Sequence, residues 1–337
     1  MTTASLDPAL TEFADAIHAK VGTAPPRIPP AAPASGQSRA QWLAEVEDAR
    51  AAGDGLAAIV LEHLRLPRPD VAAVLDQPIP VDGATIQSRV YVPPGEGPFP
   101  GLVYFHGGAW WLAGGARGFA LNDSHCRILC AGAGTIVVNV DYRLAPEFPF
   151  PVQLEDAFDA VCWVQQGDHA LAVDRELLSV SGTSSGGNLA AAVCLLARER
   201  GGPAIRAQIL HVPALDLTLR SASVLADPEA AVHLSAVVDL YVSPEQRAEP
   251  TVSPLLADDL GGLPPTFVAT GQYDPLRDDG QRYADRLFAD GTAVRWVDYP
   301  MFHGIGLPET IQSMYGDMVA ALRAARLVPP GPDRGMT

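Results

Sequence analysis

Leu177-Leu178-Ser179-Val180-Ser181-Gly182-Thr183-Ser184-Ser185-Gly186-Gly187-Asn188 is the stretch on which the fold turns. Its opening residues are β-rich, and after Asn188 the chain continues as the apolar helical run Leu189-Ala190-Ala191-Ala192-Val193-Cys194-Leu195-Leu196-Ala197. A strand that feeds directly into G-x-S-x-G and then into a helix predicts a sharp turn, with Ser184 in a strained conformation and its hydroxyl held out at the top of a sheet. Glycine at positions 182 and 186 removes the Cβ atoms that would collide with neighbouring chain. The following helix aims its N-terminal amides and partial positive charge at any oxyanion formed beside the serine. Taken alone, the five residues also fit a plain helix start at Gly186-Gly187-Asn188, so the assignment depends on what the rest of the chain supplies.

Outward from the serine, short β-rich runs at residues 86–92, 101–106, 135–140, 177–182, 208–212, 266–271 and 294–299 alternate with helical ones. That rhythm predicts an α/β fold with a mostly parallel sheet covered on both faces. The segment from Ile79 to Val92, punctuated by Asp82-Gly83, predicts an antiparallel hairpin at the sheet edge. Between His211 and Pro254 the rhythm breaks into helical pieces without a strong strand, which reads as a cap over the strand C-termini. At the other end, Leu6, Leu10, Phe13 and Ile17 share one helix face, a five-proline connector follows from Ala24 to Ser38, and a second helix spans Trp42 to Arg50. The expected division is residues 1–50 as N-terminal cap helices and connector, 51–213 with 251–337 as the catalytic core, and 214–250 as the cap insertion.

Acyl transfer by a serine needs backbone N–H donors for the oxyanion, a base, and a carboxylate that orients the base. The run at 101–106 leads into His106-Gly107-Gly108-Ala109-Trp110-Trp111, a loop of small residues where the partner of a serine elbow belongs. Gly107, Gly108, Ala109 and Ser185 are the candidate oxyanion residues, with the amides of Gly108, Ala109 and Ser185 as the preferred donors; an ordinary tight turn is the alternative. Of the eight histidines, His303 stands in a glycine-containing loop after the run at 294–299. His18 and His63 fall in helices, His169 in a polar loop and His211 in a strand, positions that suit solvated or structural roles. Asp274 follows the run at 266–271, whereas Asp278 and Asp279 fall inside the next helix. The order Ser184, Asp274, His303 is the one this strand–turn–helix arrangement requires.

The bulk properties set outer limits. A chain of 337 residues with 48% hydrophobic content can bury one large core. A net charge of −16 disfavours nucleic acid and anionic membranes as partners. The first twenty residues have neither a basic start nor a long apolar run, so the expected compartment is the cytoplasm. Cys126, Cys130, Cys162 and Cys194 sit in apolar stretches and read as buried thiols; His125 with Cys126 and Cys130 lacks a second ligand pair, so no metal and no cofactor are expected.

With these residues in hand, the chain resembles the hormone-sensitive-lipase branch of the α/β-hydrolase esterases, also called the bacterial family IV esterases. The likeness runs from about Val90 to Leu322. It includes Asp141-Tyr142-Arg143-Leu144-Ala145-Pro146-Glu147, Phe150-Pro151 through Leu154-Glu155-Asp156, Val252-Ser253-Pro254-Leu255 and Tyr273-Asp274-Pro275-Leu276-Arg277-Asp278. The resemblance implies an α/β-hydrolase fold with an eight-stranded core, a helical cap from the N-terminal segment and the insertion, and cofactor-free hydrolysis of short or medium acyl esters. It assigns nucleophile, acid and base to Ser184, Asp274 and His303.

Two departures bear on the substrate. Ala109 replaces the third glycine usual in the oxyanion loop, which argues against esters of bulky tertiary alcohols; Thr183 and Ser185 stand where many relatives carry aspartate and alanine. The expected partner is a small-molecule ester or lactone, walled by Trp110, Trp111, Tyr142, Leu144 and Phe302 unless these pack in the core. The oligomeric state is open, with a homodimer among the options. Amide cleavage is the alternative reaction, because arylformamidases share a similar H-G-G-x-W loop. A lyase or ligand-binding role, known for relatives with an altered triad, is the remoter one.

Overall fold

The structure, a computed structural model, describes residues 7–22, 26–167 and 170–327. Leu6 of the first helix face, Ala24 and Pro25 of the connector, and His169 lie outside the described residues. The chain opens with α1 (Pro8–Val21) and α2 (Arg39–Leu64), then β1 (Ala73–Val81), β2 (Ala84–Val92) and β3 (Phe99–Phe105). It continues through α3 (Gly115–Ala133), β4 (Ile136–Asp141), α4 (Val152–Gln166), β5 (Val173–Thr183), α5 (Ser185–Arg200) and β6 (Gln208–His211). Two helices, α6 (Ala222–Leu225) and α7 (Pro228–Tyr241), precede β7 (Thr266–Gly271), α8 (Arg277–Ala289), β8 (Val294–Tyr299) and α9 (Pro308–Ala325).

The eight strands form one sheet in the order β1-β2-β4-β3-β5-β6-β7-β8. β1 and β2 pair antiparallel through the Val81↔Ala84 register, with Gly83 taking φ 68° in the turn between them. β2 is antiparallel to β4, and every pairing from β4 to β8 is parallel. Alternation along the strands separates two cores. Val103 and Phe105 of β3 face one core with α4, α5 and α8, whereas Leu102 and Tyr104 face the other with α3 and α9. Helix α5 is buried from Ser185 to Ala197, and its small side chains let it approach the centre of the sheet.

The second helix is longer than the sequence indicates. It continues past Arg50, through Gly53 and Gly55, to Leu64, so a division at residue 50 falls inside a continuous helix. Two interior glycines cost a helix about 2 kcal/mol relative to alanine, and tertiary contacts offset that loss. A Cβ on Gly53 would stand 2.8 Å from a methyl of the Leu112 side chain, so α2 packs closely on this loop at that position. Arg50 donates from Nε to the Trp111 carbonyl at 2.7 Å and makes a two-pronged pair with Glu147 at 3.0 and 2.9 Å. Asp54 accepts the Ala113 amide at 2.8 Å. Both residues of α2 therefore fasten it to the loop that follows β3.

Candidate active site

The turn between β5 and α5 has the strained geometry that its glycines anticipate. Ser184 sits at φ 55° and ψ −114°, a region that side-chain-bearing residues rarely occupy. Its own amide is consumed by the His211 carbonyl at 2.8 Å, which holds the elbow against the end of β6. A Cβ at position 182 would lie 2.0 Å from the Gly186 carbonyl oxygen, and one at 186 would lie 1.9 Å from the Phe105 carbonyl oxygen. Because both obstacles are backbone atoms, no side-chain rotation relieves them. Gly186→Ala is accordingly expected to destabilise the fold by more than about 4 kcal/mol, read as a collapse of the urea midpoint or loss of soluble protein. A midpoint within error of wild type would contradict the packing described here.

The two loops beyond β7 and β8 are joined to one another before they reach the serine. Gln272 and Tyr273 donate their amides to the carbonyls of Tyr299 and Met301 at 2.8 and 3.1 Å. A Cβ on Gly271 would stand 2.4 Å from the Phe302 carbonyl, so the close approach depends on glycine at that position too. Asp274, buried at 3% exposure, accepts the Leu276 amide on Oδ1 at 2.9 Å and faces His303 Nδ1 with Oδ2 at 2.8 Å. The far side of the ring, Nε2, lies 2.9 Å from Ser184 Oγ. Desolvation opposes charge on His303, but the charge of Asp274 and its hydrogen bond outweigh it, leaving the imidazole pKa above the ordinary 6.5. Asp279 is a buried structural carboxylate, accepting the Leu215 and Asp216 amides and the Ser221 hydroxyl; Asp278 accepts the Ser223 amide.

The loop after β3 lies directly against the elbow. Gly107 is positioned so that a Cβ would be 3.1 Å from the Thr183 carbonyl and 3.6 Å from the Ser184 Cβ. Gly108, Ala109 and Trp110 all take positive φ, at 117°, 53° and 62°. The Gly108 carbonyl accepts the amides of Trp111 and Leu112, closing the turn. Among the described residues, the N–H groups of Gly108, Ala109 and Ser185 are paired with no acceptor; Ser185, as the first residue of α5, has none within its helix.

A cavity of about 550 Å³ borders Gly107, Gly108, Thr183 and His303. One wall is apolar and comes from α2, through Leu56, Ala57, Val60 and Leu61; the opposite side is polar, with Tyr104, Asn122, His125, Thr183, His211 and Tyr315. The polar residues form an ordered chain. Asn122 donates to the Gly118 carbonyl at 2.8 Å, so its oxygen receives the Tyr104 hydroxyl at 3.1 Å. Thr183 then donates to Tyr104, and His211 Nδ1, 3.2 Å from Thr183 Oγ1, carries the proton that completes the sequence. Burial pushes His125 and His211 down to about 3, so both rings are neutral near pH 7.

The five aromatic and aliphatic residues expected as pocket walls do not border this cavity. Trp110 is buried and stacked on Tyr241 at 4.4 Å between ring centroids, and Trp111 is buried in the same core. Tyr142 stacks on His106 at 4.3 Å and donates to the His106 carbonyl at 2.8 Å. Leu144 lines a separate cleft beside Arg50 and Arg143, and Phe302 packs on Tyr273. For the two tryptophans, the backbone turn made by the positive φ values at Gly108, Ala109 and Trp110 accompanies burial of both rings in the core. The residues that do line the cavity carry one signal in the sequence: Leu121, Asn122 and His125 recur at helical spacing on α3.

Cys126, Cys130 and Cys194 are buried thiols and Cys162 is partly buried. Among the described residues, no three His, Cys, Asp or Glu side chains come together as a metal-binding group. No helix among them is long and apolar enough to cross a membrane.

Comparison with known proteins agrees with this architecture. A family model described as an alpha/beta hydrolase fold matches residues 102–306. The carboxylesterase NlhH of Mycobacterium tuberculosis is 39% identical over 235 residues, spanning 66% of this chain and 72% of the relative. The structure of a hyperthermophilic esterase from Pyrobaculum calidifontis superposes with a TM-score of 0.76 at 33% identity, over 84% of this chain and 94% of that one. An ester-hydrolase from the metagenome of Lake Arreo superposes with a TM-score of 0.81 at 30% identity, over 96% and 100% of the two chains. The strand order, the serine elbow and these matches together identify the chain as a member of the α/β-hydrolase fold family, in its hormone-sensitive-lipase-like branch.

Proposed function

We propose that this protein is a serine carboxylesterase that cleaves small carboxylic esters through an acyl-enzyme formed on Ser184. The observation that carries the reading is the continuous contact from Asp274 Oδ2 to His303 Nδ1 at 2.8 Å and from His303 Nε2 to Ser184 Oγ at 2.9 Å. The Ser184 proton passes to His303 Nε2 as Oγ bonds to the ester carbonyl carbon, and Asp274 stabilises the imidazolium. The carbonyl oxygen becomes an oxyanion held by the unpaired amides of Gly108, Ala109 and Ser185. Collapse of the adduct breaks the bond to the alcohol, which leaves with the proton from His303. Water, deprotonated in turn by His303, releases the acid and restores Ser184.

Helix α2, with α1 and the inserted α6 and α7, serves as the cap, and Arg50 and Asp54 anchor it over the oxyanion loop. Esters are favoured over amides because the relatives of similar length and geometry are named as esterases. A cavity of about 550 Å³ suits short or medium arms. The test is to assay p-nitrophenyl butyrate beside an N-formyl aromatic amide across pH. The ester is expected to have the higher kcat/KM. Because the base must be neutral and its pKa lies above the ordinary value, activity should fall on the acid side with an apparent pKa above 6.5. A higher kcat/KM for the amide, or no acid limb above that value, would contradict the reading.

A further inference from the structure

Two cavities lie back to back beside α2. The inner one, about 550 Å³, borders His303, Gly107 and Gly108. The outer one, about 730 Å³, is bordered chiefly by apolar groups including Pro67, Pro69, Ile128 and Val319. Only a few side chains touch both: Leu64 at the end of α2, Leu66 just beyond it, and Ile311 and Tyr315 of α9. They form the partition between a space that borders His303 and the loop after β3 and an apolar space that does not.

Tyr315 is the partition residue held by His125 through both its hydroxyl and its ring. Its hydroxyl lies 3.0 Å from His125 Nδ1, and its ring meets the His125 ring edge-on, with centroids 5.4 Å apart and planes at 64°. The residue is 8% exposed, so it fills the boundary rather than projecting into water. Burial keeps His125 neutral, which makes this attachment insensitive to pH in the neutral range.

We propose that Tyr315 is a specificity-determining residue that closes the inner cavity and limits the length of the ester arm seated there, with the outer cavity as the room a longer alkyl arm would enter once the ring is removed. This rests on the esterase reading above. Each methylene that finds an apolar wall should raise kcat/KM about fourfold, from the transfer free energy of a buried CH₂. Methylenes that meet the partition gain nothing or are repelled.

The experiment compares wild type, Tyr315→Ala and Tyr315→Phe on two series below their micellar concentrations: p-nitrophenyl esters of acids from two to twelve carbons, and acetates of alcohols from two to ten carbons. The two series cover either orientation of the substrate. Wild type is expected to lose kcat/KM beyond medium lengths in the arm that enters the cavity. Tyr315→Ala should raise the long-to-short ratio in that series by about tenfold or more, the effect of roughly two newly buried methylenes. Tyr315→Phe keeps the ring and should keep the wild-type ratio. If Tyr315→Ala does not fold, Leu66→Ala, on the same partition but in a connecting segment, is expected to shift the ratio in the same direction. Unchanged ratios in both series, or a wild-type enzyme that already favours the longest arm, would overturn the proposal. The ratio is unaffected by a general loss of active protein. If the hydrolysis also persists in Ser184→Ala, it is the esterase reading that fails; a flat ratio with Ser184-dependent turnover defeats only the role of Tyr315.

Discussion

Ser184→Ala is expected to lower kcat on p-nitrophenyl butyrate by a factor on the order of 10⁴ to 10⁶ with little change in KM, measured on protein whose circular dichroism matches wild type. The loss is large because the hydroxyl supplies the bond-forming atom, the one held 2.9 Å from His303 Nε2. The oxyanion amides and the cavity remain, so a residual rate above the uncatalysed reaction should persist. The substituted alanine must adopt the same φ of 55°, but it introduces no atom that serine lacks, so folding should be preserved. A variant with more than a tenth of wild-type turnover would remove Ser184 from the mechanism.

Asp274→Asn is expected to reduce kcat by about 10⁴, and the reason is specific to this loop. Oδ1 of the aspartate already accepts the Leu276 amide at 2.9 Å. The asparagine oxygen would keep that bond, turning its NH₂ toward His303 Nδ1. Nδ1 would then have to accept, placing the ring proton on Nε2, where it cannot take the serine proton. The variant should fold normally, since the Leu276 contact survives. The acid limb of the rate profile should also move to lower pH, because the residue that raises the His303 pKa has lost its charge. A variant that keeps full kcat and an unshifted limb would show that Asp274 does not orient the base.

What can be read from the sequence follows how local each feature is. The elbow is legible because the conflict that demands Gly182 arises within the turn itself, against Gly186, and the glycine pattern stands in one strand–turn–helix stretch, although the conflict at Gly186 is with Phe105 of β3, far away in sequence. The strand rhythm is equally local, and the hairpin at Asp82-Gly83 appears with the expected two-residue connection. The length of α2 is not legible. The sequence reading ends the helix at Arg50, short of Gly53 and Gly55, and what carries it on is the close packing of Gly53 on Leu112 and the Arg50 and Asp54 bonds to residues about sixty positions away. The pocket walls escape a sequence reading for a related reason. Trp110 and Trp111 close the loop that follows β3, yet after the positive φ angles at Gly108, Ala109 and Trp110 both rings lie buried in the core. The cavity is instead walled by α2, α3 and α9, which only the tertiary arrangement brings together.

Apolar residues near the serine elbow are thus poor guides to the cavity walls, whereas the loops at strand ends do bring Ser184, Asp274 and His303 together. His211 illustrates the intermediate case. Its place at the end of β6 suggests a structural ring, and the ordered bonds through Thr183, Tyr104 and Asn122 fit that role while also bordering the cavity beside His303.

The most direct test of the central claim is covalent. After exposure to a fluorophosphonate, peptide mass spectrometry of the wild-type protein is expected to find a single phosphonyl adduct on Ser184, absent from Ser184→Ala and formed much more slowly in Asp274→Asn. An adduct on Ser185 or elsewhere, or ester turnover that continues undiminished after stoichiometric labelling of Ser184, would contradict the account.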